Sequence, residues 1–219
     1  MEKKLIKREV YTPCTELQVR EVEGQEQSRT ISGYAILFNS PSAVMWTNEY
    51  GGEVREVIAP EAITKELLDK SDIKMTMFHD RQLILARSKD GQGTLSYKVD
   101  EKGVSFEFEA PKTVDGDKAL ELVSRGDIAG CSFAFSTYYN DEQYVKKEAD
   151  GVNVTFTVRQ VLGIYDFTLA ADPAYPETEC AVRELLKDDE KQDEERAQRI
   201  RESIAEMRRR AKINVLNLK

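Results

Sequence analysis

The sequence is poor in the residues on which much enzyme chemistry depends. Its 219 residues include one histidine, His79, and three widely spaced cysteines, Cys14, Cys131 and Cys180, without a CxxC pair. We therefore predict no metal or other cofactor, although isolated carboxylates leave a magnesium site open. An odd number of distant cysteines is typical of reduced thiols in a cytosolic compartment. Any imidazole chemistry within this chain must use His79.

Long apolar runs and phosphate-binding loops are also missing. No window approaches the roughly 18 apolar residues that indicate a membrane span. The basic N-terminal segment MEKKLIKREVYTP has no apolar core of the kind found in signal peptides. There is no P-loop, dinucleotide-binding motif or G-x-S-x-G elbow. Because the net charge is −8 and the pI is about 5.0, we expect neither membrane nor nucleic-acid binding.

Charge divides the chain into a body and a tail. Residues 187–219 contain 18 charged side chains in 33 positions. Five apolar residues recur there at helical spacing: Ala197, Ile200, Ile204, Met207 and Ala211. We therefore predict a charged tail at 187–219 that is helical or partly disordered. Residues 1–27 are expected to form an N-terminal lead-in strand or arm, and 28–186 the folded domain.

Alternating apolar and polar residues predict that the body is mainly β with flanking helices, an α+β fold. We expect strands at 29–39, 131–137, 152–158 and 160–170, a hairpin at 95–109, a helix from Pro60, and a helix at 116–126 stopped by Gly126. The polar segment 138–151 is interpreted as a long loop. Several strands with two intervening helices favour a closed or nearly closed β-barrel with helices packed outside.

His79 lies in the segment IKMTMFHDRQ. If this segment is extended, alternation places Met75, Met77 and His79 on one face. Taken alone, the segment favours a purely structural explanation, in which His79 is a partly exposed histidine at a strand end, bonded to Asp80. The residues alone do not exclude either interpretation.

The segment GDIAGCSFAFS offers two adjacent nucleophiles. Cys131 shares one strand face with two phenylalanines, which marks that face as a core face and Cys131 as a small hydrophobe. Ser132 then points to the opposite side, between small residues that leave room for a substrate chain. The structural alternative is that Ser132 is a solvent-facing strand serine.

The segment GIYDFTLAADPAY places a carboxylate in an apolar strand. Burying an unpaired charge is costly, so Asp166 has either a partner in the core or an outward position on an edge strand. If it faces His79 and Ser132, the three residues have the types found in a serine protease triad. Ser132 would attack a carbonyl, His79 would take its proton, and Asp166 would orient the imidazole.

Five segments, taken in order, resemble the prohead maturation proteases of tailed bacteriophages. ISGYAILFNS is the first, and VIAPEAI is the second, where the family commonly shows I-x-PGAF. MTMFHDRQ then matches a His-Asp pair. SRGDIAGCSFAF is very close to RGD-x-x-G-x-SFGF, and YDFTLAADPAYPET is similar to EVS-x-V-x-xPAY. No single segment is decisive, but their joint order is specific.

The resemblance covers about residues 28–183 and implies roles for three residues. It places the catalytic histidine on His79, the nucleophile on Ser132 and the acidic member on Asp166, where a glutamate is commoner in the family. The candidate donors to the oxyanion are the backbone around Gly130 and Cys131, or the side chain of Arg125.

The resemblance also implies a fold and a place of action. The family is similar in fold to the herpesvirus assemblins, a β-barrel with surrounding helices and a serine nucleophile. By this resemblance the protein is a serine endopeptidase inside the immature capsid, in the host cytoplasm. It would cut scaffold or the scaffolding segment of the major capsid protein, and itself, with the 187–219 tail removed by self-cleavage. Analogy with the herpesvirus enzymes suggests a homodimer.

Two other functions fit the same residues. A non-catalytic capsid or scaffold component on this fold would use the tail to bind its partner. A cysteine hydrolase would use Cys131 with His79. Substitution of the serine or of the cysteine distinguishes the three hypotheses.

Overall fold

The computed structural model describes residues 5–12, 17–19 and 28–171, with side chains except those of Glu9, Tyr11 and Thr12. The first strands along the chain are β1 (Leu5–Thr12), β2 (Gln18–Val19), β3 (Thr30–Leu37), β4 (Trp46–Thr47) and β5 (Glu53–Ile58). They are followed by β6 (Asp72–Met77), β7 (Asp80–Lys89), β8 (Gln92–Gly93), β9 (Leu95–Val99) and β10 (Gly103–Glu109). The last are β11 (Gly130–Tyr138), β12 (Val145–Asp150), β13 (Asn153–Val158) and β14 (Gly163–Ala170). The predicted tail at 187–219 lies outside the described residues.

The helices are few and short. A single 3-10 turn covers Pro60–Ala62, and the α-helices are α1 (Lys65–Lys70) and α2 (Val114–Ser124). The described part of the chain is thus mainly β with flanking helices, as predicted. Within it, no helix is both long and apolar enough to cross a membrane.

The strands form three sheets. The largest has the order β1-β11-β14-β6-β7-β8, and the two four-stranded sheets have the orders β2-β3-β10-β9 and β12-β13-β5-β4. Pairing is antiparallel except between β14 and β6 and between β13 and β5. A parallel bridge between Phe38 and Ile58 connects the two smaller sheets. Closure of the sheets into an assemblin-like barrel remains a prediction.

Local signals in the sequence account for several elements. The predicted hairpin is β9 and β10, whose turn is fixed by the Asp100 carboxylate accepting hydrogen bonds from the N–H groups of Lys102 and Gly103. The Thr113 side chain caps the start of α2, and Gly126 follows its end with φ = +76°. These elements follow the predicted pattern because short-range contacts determine them.

The predictions for the segments that begin at Pro60 and at residue 138 are wrong. The helix expected from Pro60 ends after one turn, because Ile63 is extended with φ = −130° and Thr64 caps a separate helix, α1. The expected loop at 138–151 contains β12, which pairs with β13. Because most side chains of β12 are exposed, the strand has no apolar alternation by which it could be detected.

The centre of the large sheet is buried on both faces. The phenyl rings of Phe133, Phe135 and Phe167 are fully buried, and β3 packs against β11. β11 and β14 each have neighbours along both edges. The buried polar side chains on these two strands must find partners within the protein; they are Ser132, Ser136, Thr137, Asp166 and Thr168.

A buried ionic cluster ties β1 to the rest of the molecule. The Arg8 guanidinium on β1 donates from Nε to Glu56 Oε2 on β5 over 3.0 Å, and the exposed fractions of the two side chains are 3% and 0%. The Tyr139 hydroxyl donates to the other carboxylate oxygen of Glu56. Burial raises the pKa of Tyr139 well above its ordinary value, so it remains a donor. The cluster joins the largest sheet to one of the four-stranded sheets.

We predict that Glu56→Ala destabilises the fold by about 3–5 kcal/mol, because it leaves the Arg8 charge buried without its partner. The matched control is Glu53→Ala on the same strand, which breaks a 2.8 Å ion pair with Arg55. The exposed fraction is 54% for the Glu53 side chain and 36% for the Arg55 side chain. This change should cost less than about 1 kcal/mol. Urea unfolding monitored by circular dichroism measures both, and equal losses would contradict the prediction.

Candidate active site

His79 occupies a hairpin turn and not the extended segment that alternation predicted. Phe78 and His79 form the two-residue connection between β6 and β7, and both have φ = +55°. Two positive φ values are typical of type I′ hairpin turns, which usually contain Asn and Gly because other side chains are strained there. The strained tip directs the imidazole away from the path of either strand.

The tip of this hairpin is held by β14. The Phe78 N–H donates to the Leu169 carbonyl over 3.1 Å. The His79 N–H donates to Thr168 Oγ1 over 2.9 Å, and Thr168 Oγ1 lies 2.9 Å from Thr76 Oγ1. Both threonines are fully buried. Contacts with a strand almost 90 residues away in the sequence thus stabilise the left-handed backbone of His79.

The His79 side chain is 6% exposed and lies between a carboxylate and a hydroxyl. Its Nδ1 is 2.8 Å from Asp166 Oδ1, and its Nε2 is 2.8 Å from Ser132 Oγ. Asp80 is exposed, and its carboxylate accepts a hydrogen bond from the N–H of Gln82. His79 is at a strand end, as that interpretation held, but its expected bond to Asp80 is wrong because the imidazole contacts Asp166 and Ser132 instead.

Ser132 is fully buried on β11, so the interpretation of a solvent-facing serine is also wrong. Open space was expected beside it, but Ser132 has no exposed surface, and β1 pairs along one edge of β11. The hydroxyl donates to the Val10 carbonyl of β1 over 2.8 Å, in addition to its contact with His79. The sequence analysis missed this contact because nothing in the residues of β1 indicates pairing with β11.

Asp166 lies on β14, an interior strand, and is 4% exposed. Of the two positions left open by the sequence, the outward edge position is wrong and the partnered core position is correct. Its carboxylate accepts from His79 Nδ1–H, which leaves Nε2 to face Ser132. Hydroxyl, imidazole and carboxylate lie within hydrogen-bonding distance in series, and we refer to them as the His79–Ser132–Asp166 triad. They form a continuous hydrogen-bonded chain when the Ser132 hydrogen points to Nε2 and not to the Val10 carbonyl.

Strand register explains why these side chains meet. Ser132 on β11 is directly opposite Thr168 on β14, which is directly opposite Thr76 on β6. Asp166 precedes Thr168 by two residues, so both side chains point to the same face of the sheet. The β6–β7 turn therefore rests on β14 with its backbone at Thr168 and its imidazole at Asp166.

The neighbouring residues that were considered as alternatives have other contacts. Cys131 is fully buried, its thiol lies 3.5 Å from the Ser132 carbonyl oxygen, and burial raises the pKa of the thiol far above its ordinary value. Arg125 lies at the end of α2, where its 61% exposed side chain pairs with Asp127 over 3.0 Å. Gly130 and Cys131 lie in β11, whose edges both carry paired strands. The source of oxyanion donors remains a prediction.

Within residues 5–12, 17–19 and 28–171, no group of three or more His, Cys, Asp or Glu side chains is arranged to hold a metal ion. The side chains that meet at the site are suited to proton transfer through the imidazole and to nucleophilic attack by the Ser132 oxygen. The arrangement of hydroxyl, imidazole and carboxylate is the one that activates a serine.

Comparison with known proteins places the chain among the serine proteases. The chain belongs to the caudovirus prohead serine protease family, which it matches over residues 15–193. This confirms the family resemblance found in the sequence. Among solved structures, the fold is similar to that of the capsid assembly protease of bacteriophage T4, with a TM-score of 0.41 and 9% sequence identity over 76% of this chain and 99% of that chain. No curated protein sequence matches the chain.

We predict that the Cys131 thiol resists alkylation in the native protein. Full burial and a raised pKa both lower the concentration of accessible thiolate. Iodoacetamide at pH 8, followed by peptide mapping, should leave Cys131 unmodified in buffer and modify it fully in urea. Rapid alkylation in buffer would contradict this prediction and favour the cysteine hydrolase.

Proposed function

We propose that the protein is a serine endopeptidase of capsid maturation in which Ser132, His79 and Asp166 are the catalytic residues. The single observation that carries the proposal is the triad geometry, with 2.8 Å on both sides of the imidazole. Membership of a prohead serine protease family supports the reaction class. The role of each side chain follows from its contacts.

Ser132 Oγ attacks the carbonyl carbon of the scissile peptide, and His79 Nε2 takes the hydroxyl proton. His79 then gives this proton to the departing amine, which leaves an acyl group on Ser132. A water molecule loses a proton to His79 and attacks the acyl group, which regenerates the serine. Asp166 accepts from Nδ1–H throughout, which fixes the tautomer and stabilises the imidazolium.

The proposed substrates follow from the family and not from a pocket. We infer that the enzyme cuts scaffold, or the scaffolding segment of the major capsid protein, inside the prohead in the host cytoplasm. Self-cleavage that removes residues 187–219 and assembly as a homodimer belong to the same proposal. The fold proposed for this reaction is the nearly closed, assemblin-like barrel.

We predict that Ser132→Ala abolishes cleavage, whereas Cys131→Ala preserves it because the backbone N–H of residue 131 is retained. The matched control is Ser136→Ala, which removes a second buried serine hydroxyl from the same strand, one that is bonded to Tyr165. Each variant is co-expressed with the cognate capsid protein and scaffold, and intact masses are measured.

The capsid protein or scaffold is expected to be truncated with the wild type, Cys131→Ala and Ser136→Ala. All proteins are expected to keep their full-length masses with Ser132→Ala. If all proteins remain full length while shells assemble correctly, the non-catalytic assembly role replaces the protease. If only Cys131→Ala fails to cleave, the cysteine hydrolase is correct.

A further inference from the structure

We propose that Thr168 is a positioning residue that holds the backbone of His79 in its left-handed conformation. This inference rests on the proposed function and deepens it. Thr168 Oγ1 accepts the His79 N–H over 2.9 Å in a fully buried position. Its hydrogen bond is to the backbone of His79, so the proposed role is to position the residue that carries the imidazole.

The need for such an acceptor follows from the turn. A left-handed backbone is unfavourable for histidine and for phenylalanine, so both residues of the tip would relax if their hydrogen bonds were lost. Relaxation at His79 would swing the ring away from Ser132 and Asp166. A displacement of about 1 Å at a catalytic group is enough to cost on the order of 100-fold in rate.

Threonine is well suited to this position. Its hydroxyl oxygen can accept the His79 N–H while the same hydroxyl bonds the Thr76 side chain on the neighbouring strand β6. Asp166 and Thr168 thus hold the two ends of the same residue, the ring and the backbone. Both come from one rigid interior strand.

The chain offers a direct observable, because His79 is its only histidine. In untagged protein labelled with 15N-histidine, a single backbone amide signal reports the His79 N–H. Its hydrogen exchange measures the bond to Thr168. The rate of Ser132 labelling by a fluorophosphonate probe measures the nucleophile independently.

Thr168→Val removes the acceptor but keeps the shape. We expect His79 amide exchange to speed up by about tenfold or more and the maximal labelling rate to fall by about 10- to 100-fold, with the probe concentration at half-maximal rate unchanged. Thr168→Ser should restore both. Thr76→Val is the matched control, because it breaks the same threonine pair yet leaves Thr168 to accept the His79 N–H.

Wild-type exchange in Thr168→Val, or equal effects in Thr76→Val, would overturn the positioning role. Failure of the proposed function looks different. In that case the probe would label Ser132 no faster than an ordinary serine in the wild type and in every variant, including one that weakens the pairing of β1 beside it, whatever happens to the amide.

A second inference rests on a separate observation, the covering of Ser132 by β1. We infer that the end of β1, residues 10–12, is a self-occluding segment that must leave β11 before a substrate can bind. Val10 and Tyr11 lie opposite Phe133 and Ser132 in the ladder, and the Val10 carbonyl accepts from the Ser132 hydroxyl over 2.8 Å. With β1 paired in this way, Ser132 is fully buried.

The contact with Val10 also competes for the proton used in catalysis. The Ser132 hydroxyl has one hydrogen, and a carbonyl oxygen can only accept. When this hydrogen points to Val10, His79 Nε2 cannot receive it. Release of residues 10–12 thus exposes the nucleophile and returns its proton to the imidazole.

Release of the whole strand is not required. Arg8 is fixed by the buried pair with Glu56, whereas β1 ends at Thr12, four residues beyond this anchor. Departure of residues 10–12 would free the adjacent edge of β11. An extended peptide could then add to this edge as a strand, with its carbonyl near Ser132.

The test compares Val10→Gly with Ile6→Gly. The two residues are matched because each is 6% exposed and they lie on the same strand, one on each side of Arg8. We expect Val10→Gly to raise the rate of fluorophosphonate labelling by about tenfold or more, because loss of a buried β-branched side chain weakens pairing. Ile6→Gly should not raise it.

Unchanged or slower labelling in Val10→Gly would overturn the inference and make β1 a permanent wall of the site. An equal rise in Ile6→Gly would overturn the assignment to residues 10–12. Val10→Ala provides a milder variant if the glycine substitution unfolds the protein. Absence of labelling in the wild type and all variants would instead contradict the proposed function.

Discussion

The register of β14 between β11 and β6 is the constraint on which the site depends. It places Thr168 opposite both Ser132 and Thr76, and places Asp166 two residues away on the same face. The β6–β7 turn then reaches back over β14 and brings in His79. A shift of one residue would turn Asp166 and Thr168 to the other face of the sheet. Three sequence-distant side chains meet because one interior strand is held from both edges.

Burial gives this arrangement its precision and also creates a difficulty. Inside the sheet the polar groups of the triad can form hydrogen bonds only with neighbouring protein groups. Their positions relative to one another are therefore well defined. The same burial leaves the Ser132 hydroxyl without exposed surface. A protease that cuts a protein substrate must open this site, and β1 is the strand whose backbone contacts the nucleophile. The two edges of β11 can therefore have different roles. β14 holds the triad in place along one edge, and the end of β1 can leave the other edge.

The ion pair between Arg8 and Glu56 decides how far such an opening can extend. Separating the pair would leave a charge buried without its partner, which is far more costly than unpairing a few residues of an edge strand. The described contacts thus divide β1 into an anchored part and a part near Ser132. This division is compatible with a protease that stays folded while its site changes from covered to accessible.

Much of the fold is already determined by the sequence. The alternation of β9 and β10, the Asp100 turn and the stop at Gly126 are local signals, and local contacts produce the corresponding elements. The order of five motifs was sufficient to identify the family and to select His79, Ser132 and Asp166 as candidates. Their types and spacing carry this information because the proposed chemistry restricts which side chains can perform it.

Only the tertiary structure decided how those residues are held. Alternation placed His79 on an extended strand, but long-range hydrogen bonds to Leu169 and Thr168 stabilise a strained turn that local preference disfavours. Ser132 is fully buried and bonded to the Val10 carbonyl of β1, a strand that pairs with β11 across more than 100 residues of intervening chain. Such contacts leave no periodic trace in the sequence, because the energy that fixes them comes from groups that become neighbours only on folding.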